Sequence, residues 1–184
     1  MFPLGKTSVL IFKDPSQASE TYTPEVVDIF ETSIAVDDKK IKLQLWDTAG
    51  PKDYDTLRPL SYSETDVFMI LFSVINEESF KRIETKWIPE ITPYSNDCPV
   101  VLVGTHSDAR ASPPDGATLV SKEQAEQLVE KLKLFGYVEC SSTTKEGLPE
   151  VFEAAARAAL QIVSSRGASA GDNNDKEESG CKAM

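Results

Sequence analysis

Gly5, Lys6, Thr7 and Ser8 stand in the order that closes a phosphate-binding loop, with a lysine to reach outer phosphates and a hydroxyl to take magnesium. The full G-x-x-x-x-G-K-[ST] spacing would place its first glycine ahead of Met1, so half of the backbone cradle is not in these residues. Trp46-Asp47-Thr48-Ala49-Gly50 adds an aspartate suited to holding magnesium through water and a glycine whose N–H can turn toward a terminal phosphate. Thr105-His106-Ser107-Asp108 adds a carboxylate that can accept from the ring N–H and exocyclic amino group of guanine. Cys140-Ser141-Ser142-Thr143 offers backbone N–H groups to the same base. Each segment alone also fits an ordinary turn; the lysine and hydroxyl of the first with the aspartate and glycine of the second make a phosphate–magnesium set.

Such groups have to be gathered by strands. After the GKT, residues 7–12 read as a short helix ending near Asp14-Pro15. Two strands follow across an Asp37-Asp38-Lys39 turn: residues 26–36, with Ile29, Ile34 and Val36 as apolar positions, and residues 41–46, where Ile41, Leu43 and Leu45 alternate. Residues 67–74 and 100–103 are unbroken apolar runs of the kind buried on both faces. Asn76 caps a helix over 77–91, and Ser121 with Gln124 forms a capping box for a helix carrying Ala125, Leu128, Val129 and Leu132. A short strand at 137–140 precedes a helix over 149–163, with Phe152, Ala155, Ala159 and Ile162 as its buried stripe. The order predicts an α/β domain over 1–163, a doubly wound, mostly parallel sheet with an early hairpin, whose strand ends carry the Asp47, Asp108 and Ser141 segments.

The chain has 184 residues, 40% of them apolar, which suits one domain with a real core. No apolar run reaches the length of a membrane span, and the N-terminal residues lack a signal-peptide profile, so an intracellular setting is expected. Three scattered cysteines argue against a disulfide framework or zinc site. A net charge of −11 disfavours a nucleic-acid partner. From Ser164 onward the chain is rich in Gly, Ser, Asn, Asp and Glu, and residues 164–184 are expected to form a disordered acidic tail.

The chain resembles a Rho-type small GTPase of the Ras superfamily, from Gly5 to about Val163 and again at the last four residues. Besides the segments above, the likeness rests on Asp53-Tyr54-Asp55, Leu57-Arg58-Pro59-Leu60-Ser61-Tyr62, Thr65-Asp66-Val67-Phe68, Trp87 with Pro89-Glu90, and Glu139-Cys140-Ser141. The Leu-Arg-Pro-Leu-Ser-Tyr run is characteristic of the Rho branch. The resemblance implies the P-loop GTPase fold and a GTP/GDP switch with Mg2+, served by exchange factors, GTPase-activating proteins and Rho-type effectors. By motif, Gly5, Lys6, Thr7 and Ser8 meet phosphates, Thr7 and Asp47 hold the metal, and Asp47 and Gly50 sense the terminal phosphate. Thr105, His106 and Asp108 read guanine, with Ser141 and Ser142 flanking it. Tyr22, Pro24, Glu25, Val26, Val27 and Asp28 match the first switch and its effector contacts; Tyr54, Leu57 and Arg58 belong to the second.

Departures from the family pattern fall on the chemistry. Glu25 replaces the threonine that binds magnesium, with Thr23 two positions earlier, and Pro51 replaces the glutamine that orients the attacking water, leaving no intact catalytic residue. Ala18 replaces the aromatic residue against the base, and His106 replaces a lysine. Weak hydrolysis is expected, and the alternative is a pseudo-GTPase that acts only as an interaction module. The family's first strand lies centrally, between the strands at 41–46 and 67–74; without it the chain is expected to fold poorly or to exchange strands. Cys181-Lys182-Ala183-Met184 matches a farnesylation signal, Lys182 being atypical, which implies a prenyltransferase partner. One lipid chain beside the acidic run at 172–178 predicts cytoplasmic protein with weak plasma-membrane association.

Overall fold

Alternation at period two builds the first hairpin, in which β1 (Val27–Val36) runs antiparallel to β2 (Lys39–Thr48) from the Val27–Thr48 pair to Val36–Lys39. The computed structural model describes residues 5–12, 27–37, 39–95, 98–167 and 179–184. In β2 the odd positions Ile41, Leu43, Leu45 and Asp47 are buried; in β1 Phe30 and Val36 are, with Ile34 packed beside them. Ile29 is 49% exposed, contrary to its expected place beside Ile34 and Val36. Odd and even residues of a strand face opposite ways, so Ile29 cannot share the face of Ile34 and Val36, and Phe30 fills it.

β3 (Phe68–Ser73), β4 (Val100–Thr105) and β5 (Gly136–Glu139) are parallel, in the order β3-β4-β5. β4 is buried along its whole length, as its unbroken apolar run requires. Asn76 caps α2 (Glu77–Arg82) by accepting from Ser79 N at 3.1 Å. A π-helical turn at Ile83–Trp87 then leads into α3 (Ile88–Ile91). α4 (Lys122–Leu132) opens with the expected Ser121–Gln124 capping box. α5 (Leu148–Gly167) buries Val151, Phe152, Ala155, Ala156, Ala158 and Ala159 against the sheet. Its small residues let the helix lie close to the strands, while α2 to α4 cover the other face around Phe72, Ile83, Leu102 and Leu128. A short α1 (Lys6–Ile11) buries Val9 and Leu10 on the α5 side. The result is a mixed α/β domain with helices on both faces of parallel strands. No described helix is long and apolar enough to cross a membrane.

The centre of the sheet departs from expectation. β6 (Ser179–Ala183) pairs parallel to β2, Ile41 with Ser179 through Leu45 with Ala183. Its other edge meets the start of β3: Asp66 N and Val67 N donate to Lys182 O at 3.0 and 3.2 Å, and Met184 N donates to Val67 O at 3.0 Å. Met69 N donates to Met184 O as well. The strands therefore run β1-β2-β6-β3-β4-β5, and the slot between β2 and β3 holds residues from the far end of the chain. The tail expected to lack structure is helical as far as Gly167 and a strand again from Ser179. Two buried strands with unpaired facing edges make strong demands on backbone partners, and any segment narrow enough to enter satisfies both. Residues 168–178, the base-side position Ala18, and Tyr22, Thr23, Pro24, Glu25 and Val26 of the expected first switch lie outside the described residues.

Candidate functional site

The carboxyl ends of β2 to β5 and the start of α1 converge on one side of the sheet. Thr7 Oγ1 donates to Asp47 Oδ2 at 2.5 Å, joining residues forty positions apart. A Cβ built at Gly50 would lie 3.2 Å from Lys6 Nζ, so the ammonium rests against the bare glycine backbone. Burial lowers the Lys6 pKa, Asp47 working the other way and Arg58 adding to the fall. Burial raises that of Asp47, opposed by the Thr7 hydrogen bond and by Lys6, while Asp28, its cross-strand partner, pushes it up further. Asp47 is thus a dehydrated carboxylate beside a hydroxyl, a donor set that a hard divalent cation suits. Lys6, Thr7, Asp47 and Gly50 fit a magnesium-bound phosphate chain; Ser8 is exposed at the same turn.

His106 sits in left-handed backbone, φ 62°, between β4 and a 3-10 turn at Ser107–Arg110. Its Nδ1 is 3.1 Å from Ser73 Oγ and 3.0 Å from Thr105 Oγ1, and its Cε1 lies 3.8 Å from where a Gly5 Cβ would be. The ring therefore bridges the phosphate side and the base side. Asp108 Oδ1 is buried and has no hydrogen-bond partner among the described residues. An unsatisfied buried acceptor costs about 1–3 kcal/mol, more when charged, unless a ligand donor completes it. Ser107 N donates to Cys140 O at 3.2 Å, bringing the two base-side loops together.

Two predicted positions serve the protein itself. Ser141 is fully buried and its Oγ accepts from Thr143 N and Thr144 N, both at 3.1 Å, which shapes the turn. Thr105 Oγ1 donates to Phe72 O at 3.0 Å inside the sheet. Ser142 is exposed.

Sequence reasoning missed the brace beneath the base-side loops. Arg110 forks onto Glu139 with Nε to Oε2 at 2.8 Å and Nη2 to Oε1 at 2.6 Å, and Nη2 also donates to Val120 O at 2.8 Å. Tyr137 OH donates to Glu139 Oε1 at 2.6 Å. Burial works to raise the Glu139 pKa, but Arg110 and Tyr137 outweigh it and hold the carboxyl below its ordinary range. The signal available was two opposite charges beside two ligand loops, too common a pattern to single out.

Arg58 is 1% exposed and plays an internal part. Its Nε and Nη2 reach the two Glu90 oxygens, both at 2.7 Å, Nη2 reaches Asp55 Oδ1 at 2.6 Å, and Nη1 reaches Ala49 O at 2.7 Å. The guanidinium lies 4.9 Å from the centre of the Trp87 ring, and Tyr62 OH also donates to Glu90 Oε1, at 2.6 Å. Arg58 therefore ties the segment from Asp55 to Tyr62 both to α3 and to the loop after β2 that carries Gly50. Tyr54 is half-buried, whereas Leu57 and Leu60 stand exposed from the same segment. Pro51 is exposed directly after Gly50, with neither a side-chain donor nor an N–H.

Lysine, hydroxyl and aspartate gathered at the ends of parallel strands, with a buried acceptor waiting nearby, define the class of P-loop nucleotide-binding α/β domains. A sequence model described as the Ras family matches residues 3–161, and the chain belongs to that family of small GTPases. Its members bind guanine nucleotide with Mg2+ and work with exchange factors, GTPase-activating proteins and effectors.

Proposed function

We propose that this chain is a Rho-type signalling GTPase that binds GTP and GDP and hydrolyses GTP weakly. The buried Asp108 Oδ1, without a hydrogen-bond partner among the described residues, supports the ligand assignment: it is an acceptor of the kind that the adjacent N–H groups of guanine require. Lys6 would neutralise outer phosphate charge, and Thr7 and Asp47 would hold the metal once their mutual hydrogen bond opens. The metal and triphosphate supply charge neutralisation and the scissile bond. The protein supplies orientation, and Pro51 cannot position water by a side chain. The Leu57 to Tyr62 run supports the Rho branch, and the exposed Leu57 with Val27 and Asp28 supplies surface for exchange factors and effectors. Cys181 is the proposed prenylation site, giving a weak association with the plasma membrane.

Glu25, Pro51 and Ala18 favour a second reading, a pseudo-GTPase acting through its surface alone. Titrating purified protein with GDP, GTP and ATP, with and without magnesium, separates the two. Saturable, magnesium-enhanced binding of guanine nucleotides is expected, followed by slow single-turnover hydrolysis. Absence of saturable guanine binding would refute the switch and leave the interaction module.

A further inference from the structure

The central place of β6 is not a generic packing of a tail. Cys181 and Ala183, 2% and 0% exposed, point into the core on the α5 side, and Met184 enters the opposite one. Lys182, the odd residue of a lipidation motif, fits the slot on the other face. Its Nζ donates to Ser61 O and Ser63 O, both at 2.7 Å, and lies 3.9 Å from the centre of the Trp46 ring. Lys182 N donates to Asp66 Oδ2 at 2.8 Å, and Thr65 Oγ1 donates to Met184 Sδ at 2.9 Å. Main chain, small side chains and one lysine thus each have a matching partner in the walls.

The same fit makes the strand separable. Apart from Lys182 and Met184 its side chains are small, so apolar area contributes less to retaining it than to retaining Leu- and Phe-rich neighbours. Hydrogen bonds hold it instead, and these exchange readily for water when a segment opens locally. β6 also stops at the level of Leu45 and Val67, short of Asp47 and Ser73 at the nucleotide end of the sheet.

We propose that the channel between β2 and β3 is a binding site for an extended, parallel peptide strand, that residues 179–184 of the same chain are its occupant, and that their docking withholds the Cys181 thiol. Any agent that modifies Cys181, a lipid transferase included, acts only on the released segment. Ser61 and Ser63 lose their lysine donor in that state, so release also unfastens the end of the second-switch segment. The proposal is independent of nucleotide binding.

The test is alkylation of the full-length protein with N-ethylmaleimide, followed by peptide mass spectrometry, each cysteine being compared with its own rate in urea-unfolded protein. Cys181 is expected to be slowed at least ~100-fold, but less than Cys140, which opens only with the whole domain. Lys182→Ala should raise Cys181 labelling roughly 10-fold and leave Cys140 unchanged, while Lys182→Arg stays near the parent rate. Labelling of native Cys181 at its unfolded rate would overturn docking. Equal protection of Cys181 and Cys140, moving together in Lys182→Ala, would overturn separate release. Protection that grows with protein concentration would assign the strand to a second copy and overturn the intramolecular occupant.

Discussion

In the proposed reading Asp108 concentrates base specificity in one atom. Its buried Oδ1 has no partner among the described residues, so a ligand N–H would gain an acceptor already stripped of water. Asp108→Asn presents an amide in its place and is expected to weaken GDP binding roughly 100-fold, about 3 kcal/mol, in a fluorescent-nucleotide displacement assay. Folding should be unaffected, since no described group depends on that oxygen. Thr7→Ala acts differently, removing the proposed magnesium ligand and the donor to Asp47. Its affinity loss should be large with magnesium and small in EDTA. These residues were legible because their types are confined by chemistry to short motifs; Arg110 and Glu139, which brace the same loops, were not, because an ion pair between distant segments leaves no local pattern.

At the scale of elements, the segment from Asp55 to Tyr62 is held by a buried guanidinium. Arg58→Ala would strand Glu90 beside Tyr62 and Trp87, and a cost of about 3–5 kcal/mol is expected in urea unfolding. Burial works to raise the Glu90 pKa, but Arg58 and Tyr62 hold it below an ordinary value of 4.5. Its native pKa is thus depressed: the stabilisation is complete above the unfolded value and is lost as pH falls through the native one. Acid should therefore loosen the segment below about pH 4.5, seen as a change in tryptophan emission, and Arg58→Met should flatten that acid limb. On β4, a Cβ at Gly104 would lie 2.5 Å from the Tyr137 hydroxyl and 3.1 Å from Val74 Cγ1. Gly104→Ala should cost about 1–3 kcal/mol by overpacking, measured by the same unfolding curve. Elements themselves were readable: the capping box, the Asn76 cap and the apolar strands all fall where their patterns predict, whereas the facing of Ile29 required the strand register.

Across the whole molecule, the two halves of the sheet, β1-β2 and β3-β4-β5, are joined through a strand from the far end of the chain. Ala183 lies at that seam, fully buried and opposite both Leu45 and Val67. Ala183→Asp would place an unpaired charge there, and a loss of about 3 kcal/mol or more is expected in urea unfolding, with Cys181 becoming reactive. By itself the sequence determined the family and the order of elements as far as α5, because motifs and periodicity act over a few neighbouring positions. Only the tertiary structure decided what fills the centre of the sheet, which charges are buried in pairs, and that Cys181 and Lys182 belong to a strand. A backbone slot accepts any segment that meets its hydrogen bonds and width, and that requirement is written in the walls of the slot rather than in the composition of the segment that enters it.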